Sequence, residues 1–390
     1  MDNPKEVKPY EINIYESFED LNLDENLLRG IYAMGFEKPS SIQQKAIKPF
    51  IDGKDVLAQS QSGTGKTATF SISLLQSIKQ KNVTQAIVIS HTRELANQIY
   101  NVMNGLSKYQ KHRVCLLSGG TSVSNNIMEL NNNPEIIVGT PGRIYDMLIK
   151  NFIDRRLIKY VIIDEADEML SRGFINQIYE IFRSLNNNNL QVGLYSATMP
   201  NDFFDLSKKI MIDPVKILVK TEELTLEGIR QFYVNVEKPE FKFDVLCDLY
   251  DNLTVSQSII YCNSKKIVKI IGDKLNRKDF PISIIHGEME QSERNEIVNN
   301  FRKGEVRILL STDLLARGID VQQVSIVINF DIPSSIENYL HRIGRSGRFG
   351  RKGVAINLIT NLDISKLKDI EKYYGTHIEE LTNDYLDHIN

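Results

Sequence analysis

Short apolar runs rich in β-branched residues recur through the first half of the chain, in DVLAQS, QAIVIS, EIIVGTP, YVIIDEAD and QVGLYSAT. Between them lie segments of helical length with an apolar stripe, such as KTATFSISLLQSI and RELANQIYNVMNGL. Strands that are apolar on both faces and alternate with amphipathic helices predict a parallel sheet covered on both sides. After PVKILVK the charged stretch TEELTLEG breaks the rhythm, and it then resumes in QSIIYCNS, ISIIHG, VRILLSTD, VSIVINFD and GVAINLIT. The pattern predicts two α/β domains in tandem: a tail over 1–16, a first domain over 17–219, a linker over 220–228 and a second domain over 229–390.

Length agrees with two domains, since 390 residues divide into two stretches each able to bury its own core. A 42% hydrophobic and 25% charged composition is that of a soluble globular protein. The net charge of −3 excludes nucleic-acid binding by a basic surface as a whole and leaves a localised groove. Cys115, Cys247 and Cys262 are far apart and match no zinc spacing, which predicts buried, reduced thiols. No signal-peptide core and no membrane-length apolar stretch is present, so the expected setting is intracellular, in nucleus or cytoplasm, without a membrane. The asparagine clusters NNNP and LNNNNL read as polar surface turns.

Chemistry concentrates where strands end. Lys66, Asp164, Ser196, Thr312 and Asp313 all fall at or just after the carboxyl ends of apolar runs, the edge at which open α/β sheets bind ligands. In AQSQSGTGKT, a strand, a loop with Gly63 and Gly65, and a helix opening at Lys66 would aim backbone N–H groups at phosphate oxygens. Lys66 would reach the outer phosphates and Thr67 would ligate Mg²⁺. Ser60 stands where the general phosphate-loop pattern has its first glycine, and a glycine-rich turn before a helix is the plainer alternative. YVIIDEAD strengthens the phosphate reading: Asp164 is a metal candidate, largely through water, and Glu165 a candidate to orient or deprotonate the attacking water.

With DEAD at 164–167, the chain resembles the DEAD-box RNA helicases of superfamily two, a family that tolerates alanine or serine at the position of Ser60. The resemblance runs from Phe18 to about Tyr385 and implies two RecA-like domains. It implies that GFEKPSSIQ recognises adenine, with Gln43 on the base edge, Phe36 stacked on the ring, Lys38 nearby and Phe18 behind, and that Ser62, Gly63, Thr64 and Gly65 cradle phosphate. SHTRELA and TPGR resemble RNA-contacting motifs and nominate Thr92, Arg93, Thr140 and Arg143, with Gly119 and Gly120. SAT, with Ser196 and Thr198, resembles the segment that couples hydrolysis to domain movement, together with Asp167. In the second half the resemblance implies RNA contacts at Asn263, Ser264, Gly287, Gln291, Arg294 and Thr312, and ATP ribose at Asp320. HRIGRSGR supplies Arg345 and Arg348 as arginine fingers and His341 as a bridge toward Asp167.

Division of such a site between two domains makes hydrolysis await their closure, and arginine fingers are worth roughly 10³ to 10⁵ in rate. ATP and RNA then bind cooperatively. The RNA residues are hydroxyls, glycines and arginines, suited to phosphates and 2′-hydroxyls, which predicts single-stranded RNA or short RNA duplexes as partners, little sequence preference and local unwinding. Within the family the chain is most similar to the translation initiation factor four-A group. LLARGIDVQQVS resembles its translation member, whereas AQSQSGTGKT and Ser346 resemble its exon-junction member, which the resemblance slightly favours. Protein partners such as an initiation-factor scaffold or exon-junction components follow, and a monomer in their absence. An ATP-locked RNA clamp, serving as an assembly platform with slow turnover, is the alternative activity. His91 stands where the family usually has proline, beside the Thr92 loop; it either loosens that loop, makes RNA affinity pH-sensitive, or is a tolerated surface change.

Overall fold

The apolar runs of the first half form strands because each is too short for a stable helix and carries apolar side chains on both faces. They give β1 (Val56–Gln59), β2 (Ala86–Ile89), β4 (Ile136–Gly139), β5 (Tyr160–Asp164), β6 (Gln191–Ser196) and β7 (Val215–Ile217), joined by β3 (Val114–Leu117). The order is β3-β4-β2-β5-β6-β1-β7, and every neighbouring pair is parallel. The computed structural model describes residues 10–60, 64–171, 173–185, 187, 189–199, 201–218, 229–252, 257–313, 324–346 and 353–382. Ser62, Gly63, Asp320, Arg348 and the expected linker lie outside them. The described residues up to Leu218 form one unit and those from Ile229 a second.

Alternation along the strands of the first unit builds two cores. Val56, Ala58, Ala86, Val88, Ile136, Val138, Ile162 and Tyr195 face helices Ser41–Ile51, Lys66–Ser77 and Arg93–Leu106 through Phe50, Phe70 and Ile99. Their neighbours Leu57, Ile87, Ile137, Val161, Ile163, Val192 and Leu194 face Pro141–Ile149, Ile175–Leu185 and Asn201–Ile210 through Ile144, Ile178 and Phe203. Full burial of each such side chain stabilises by about 1.5–3 kcal/mol, so a charge at Ile162, fully buried in the middle of β5, would break the sheet from within. Buried Asp55 pins β7: its two carboxylate oxygens accept from the backbone N–H groups of Val192 and Ile212, both at 2.7 Å.

The second unit repeats the design with β8 (Ile229–Asn235), β9 (Ser258–Tyr261), β10 (Ile282–Ile285), β11 (Ile308–Ser311), β12 (Ile326–Asn329), β13 (Gly353–Ile359) and β14 (Glu379–Glu380). Their order is β10-β11-β9-β12-β13-β8-β14, again all parallel. Three strands escape the reading of apolar runs. β3 alternates buried and half-buried residues at a sheet edge, β14 has two exposed residues, and β8 mixes polar and aromatic residues in IRQFYVN. Cys115, Cys247 and Cys262 are buried free thiols, as expected. Among the described residues, no helix is long and apolar enough to cross a membrane.

Candidate functional site

Sheet order sorts the expected site residues into two halves of one edge. In the first unit, the residues expected at phosphate and at the coupling segment follow β1, β5 and β6, which are adjacent. The residues expected on RNA follow β2, β3 and β4, also adjacent, and the halves meet where β2 pairs with β5. Each strand end passes into a helix N-terminus or turn, so backbone N–H groups accumulate along the whole edge.

At the phosphate half, Gly65 precedes helix Lys66–Ser77 with φ +100°, a left-handed conformation that a side chain resists. A Cβ there would also lie 2.7 Å from Gln43 Nε2. Gln43 is buried; its Oε1 accepts from Ser40 N–H at 2.8 Å and its Nε2 donates to the Gly65 carbonyl at 3.4 Å, tying the expected adenine segment to the loop. Phe36 is half-buried against the core and Lys38 is exposed, whereas Phe18 is wholly buried in that core with its ring edge-on to Tyr32. Ser60 and Thr64 join their hydroxyls across the loop, a bond that a glycine at the first position would lack.

Lys66 is 5% exposed; its Nζ donates to the Ser60 carbonyl at 2.8 Å and lies 3.4 Å from Glu165 Oε1. Glu165, at φ +50°, turns the chain from β5 into helix Ala166–Ser171, and its N–H donates to Asp164 Oδ1 at 3.0 Å. Asp164 is buried. Burial first, then the Glu165 carboxylate, push its pKa up to about 7 against the pull of Lys66. Asp164 and Glu165 are buried acids and Thr67, half-buried, brings a hydroxyl next to Lys66; oxygen ligands of this kind fit a hard divalent cation such as Mg²⁺. Tyr195, paired in register with Asp164, is fully buried; its hydroxyl has no hydrogen-bond partner among the described residues, and its ring centroid is 5.2 Å from that of Phe70. Burial, then the Asp164 charge, raise its pKa above the ordinary phenol range.

The SAT segment touches both neighbours. Thr198 Oγ1 donates to Asp167 Oδ2 at 2.6 Å, Ser196 Oγ donates to the Thr198 carbonyl at 2.6 Å, and Asp167 N–H donates to Ser196 Oγ at 3.4 Å. The Ser196 carbonyl accepts from Ser60 N–H at 3.0 Å. The three residues nominated for coupling therefore form one buried cluster bonded to the loop that holds Lys66.

At the RNA half, Thr92 caps helix Arg93–Leu106 by accepting from Leu95 N–H at 3.2 Å, and the Arg93 guanidinium lies against Gly119 and Gly120. Gly120 has φ +78°, a left-handed conformation that favours glycine, and a Cβ at either glycine would press on the end of the arginine side chain. Thr140 caps helix Pro141–Ile149, where proline at the first turn sacrifices no helix bond. Arg143 bonds the Asn126 side chain and donates to the Thr121 carbonyl at 3.1 Å, linking two loops of this half. His91, read as a possible surface change, is buried with 4% exposure.

In the second unit, the residues expected on RNA again follow three adjacent strands, β9, β10 and β11. Ser264 caps helix Lys265–Asn276 by accepting from Ile267 N–H at 3.2 Å; Gly287 faces open space; Gln291 and Arg294 lie on helix Gln291–Arg302, with Arg294 buried; Thr312 is half-buried. The amide of Asn263 is engaged at both ends, donating to the Ile332 carbonyl at 2.8 Å and accepting from Arg342 at 2.7 Å. His341 and Arg345 are buried at the end of helix Ile336–Ile343, and Arg345 Nε donates to the His341 carbonyl at 3.2 Å.

Arg342 was missed from the sequence. Fully buried, it donates to Asp313 Oδ1 at 2.5 Å, to the Asp331 carbonyl at 2.6 Å and to Asn329 Oδ1 at 3.3 Å, and lies 5.3 Å from the Tyr261 ring centroid. It locks together the ends of β9, β11 and β12. Its signal was its place among the arginines of HRIGRSGR, but nothing in their spacing singles out the one that braces the sheet.

Residues 40–206 match the family model for the DEAD/DEAH box helicase, and residues 241–350 that for the helicase conserved C-terminal domain. The chain is 55% identical over 375 residues to a Caenorhabditis elegans protein named eukaryotic initiation factor 4A, covering 96% of this chain and 93% of that one. S. cerevisiae Dbp5 bound to RNA and ADP BeF3 is similar with a TM-score of 0.90 and 36% identity over 96% of this chain and 98% of that one. Mss116p bound to ssRNA and AMP-PNP gives 0.85 and 29%, over 97% and 82% respectively.

Proposed function

Because the chain belongs to the DEAD-box family and is an ATP-dependent RNA helicase, we propose that it remodels RNA in mRNA metabolism by gripping single strands through their backbone and unwinding only a few base pairs at a time. The observation that carries this reading is the division of the first sheet's edge, with the phosphate and RNA halves adjoining at β2 and β5. Lys66 and the N–H groups at the head of its helix hold the nucleotide's phosphates. Thr67 and Asp164 hold Mg²⁺, which when bound screens phosphate charge. Glu165 accepts a proton from the attacking water, and its present ion pair with Lys66 yields when phosphate takes the lysine. From the second unit, Arg345 and Arg348 supply positive charge for the transition state, Asp320 meets the ribose, and His341 communicates with the Asp167 cluster.

Identity to a protein named for translation initiation supports a role on that side of mRNA metabolism. The test is ATP turnover of the purified chain without nucleic acid, with unstructured RNA, and with DNA of the same sequence. Stimulation by RNA alone is the expected result. Equal stimulation by DNA would remove the RNA reading, and little stimulation by either, with RNA retained for long periods, would replace the unwinding cycle by an ATP-locked clamp.

A further inference from the structure

His91, in the loop after β2, and Glu168, on the helix after β5, belong to opposite halves of the first unit's edge. His91 is two residues beyond β2 and next to Thr92; Glu168 is four beyond β5 and next to Asp167. Their side chains are 0% and 7% exposed, and His91 Nε2 lies 3.9 Å from Glu168 Oε2. On one side the link continues through backbone and hydroxyls: Ser90 N–H donates to the Gly139 carbonyl at 2.9 Å, Ser90 Oγ to the Thr92 carbonyl at 3.2 Å, and Thr92 caps the Arg93 helix. On the other, Glu168 N–H donates to Asp167 Oδ1 at 3.0 Å while Asp167 Oδ2 accepts from Thr198.

We propose that the His91–Glu168 pair is the side-chain tether through which the Thr92–Arg93 loop and the Asp167–Thr198 cluster hold each other in place, making both positioning residues for RNA-stimulated ATP hydrolysis. The inference rests on the reading that the Thr92 loop contacts RNA. Proline at position 91 would stiffen the loop by fixing φ without any side-chain partner. Histidine gives up that constraint and replaces it with a contact to the helix that follows DEAD. At 3.9 Å the attraction is Coulombic, and it acts in full only when the imidazole is protonated. Other charged groups on the elements around the pair are Arg93 and Glu94 at the head of the following helix, Asp164, Glu165 and Asp167 on the strand end and helix that lead to Glu168, and Asp202, Asp205, Lys208 and Lys209 on helix Asn201–Ile210, which packs against the Glu168 helix. The tether tightens when the imidazole takes a proton, and so strengthens as pH falls.

A preformed loop binds RNA at lower ordering cost, so the RNA concentration that half-saturates ATPase stimulation should be lower at about pH 6 than at about pH 8, by about 3- to 10-fold. The experiment measures that ratio in the full chain for wild type, His91→Asn, Glu168→Gln and the double variant, with thermal unfolding midpoints as a check on folding. Either single variant should flatten the ratio, the double variant should add nothing further, and RNA-free turnover should follow the wild-type pH profile. A wild-type ratio near one, a pH dependence surviving in Glu168→Gln, or additive single variants would overturn the tether. The first of these needs no variant to fold, and the second would place the titration on another group, such as Asp164. Absence of RNA stimulation at either pH would instead remove the underlying assignment of the Thr92 loop.

Discussion

Replacing Lys66 with methionine, of similar length and without charge, should cost stability in a pH-dependent way. Asp164, whose ordinary pKa is about 3.9, titrates near 7 in the folded chain because burial and Glu165 outweigh Lys66. An acid raised on folding subtracts stability as pH climbs from its unfolded value, and the loss stops growing once pH passes the folded value and the native protein also releases the proton. Without Lys66 that release is postponed, so the loss continues at about 1.4 kcal/mol per pH unit above 7. The variant's deficit through Asp164 therefore grows from about pH 6 to about pH 8, to on the order of 1–2 kcal/mol, and loss of the Lys66–Glu165 ion pair adds to it in the same direction. For a unit of this size that is a midpoint shift of roughly 3–6 °C. Calorimetric unfolding of both full-length proteins, free of nucleotide and Mg²⁺, measures it across that range. A deficit that is constant with pH, or larger in acid, would refute the placement of Lys66 as the charge that lets Asp164 ionise.

Tyr195→Phe should stabilise the first unit by about 1–2 kcal/mol, because it removes a buried hydroxyl that lacks a hydrogen-bond partner while keeping the ring against Phe70; destabilisation in urea unfolding would mean the hydroxyl is satisfied. Glu165→Gln should abolish ATP turnover and preserve ATP-dependent RNA binding, and loss of that binding would contradict its role on the attacking water. Thr198→Val removes the 2.6 Å bond to Asp167 and should lower strand separation about tenfold or more, as expected for about 1.4 kcal/mol or more of lost coupling, while RNA-free ATPase stays near wild type; unaltered unwinding would sink the coupling assignment. Arg342→Gln takes the ion-pair partner from Asp313, which keeps its bond from Asn338, and should destabilise the second unit by about 3 kcal/mol; calorimetric melting of that unit at the wild-type temperature would show that the brace is dispensable.

Two kinds of information in this chain differ in how far they can be read without coordinates. The sheets were legible because a buried parallel strand needs apolar residues on both faces, a demand that YVIID and SIIY satisfy without reference to any other segment. β8 was not, because its side chains are mostly half-buried and its residues are mixed; its place beside β13 is decided by pairing over all seven residues rather than by its own composition. Lys66, Asp164 and Glu165 could be nominated for the same local reason, since phosphate chemistry demands those residue types at a loop and a strand end, and what the fold adds is that they meet.

Partnership between distant residues was the part that remained hidden. Thr198 meeting Asp167 and His91 meeting Glu168 depend on sheet order, which brings together strand ends whose residues lie 31 and 77 apart in the chain, and Gln43 meets Gly65, 22 residues on, because helix Ser41–Ile51 packs on helix Lys66–Ser77. His91 shows the consequence most directly. By itself a histidine for proline beside an RNA-contacting loop reads as a change at the surface; once β2 is placed next to β5, the same position is interior and faces a carboxylate. A residue's chemistry is written locally, but whether it faces water, ligand or another charge is set by which strand its own strand adjoins. The departures from a family's usual residues therefore need to be judged on the folded edge rather than in the motif where they occur.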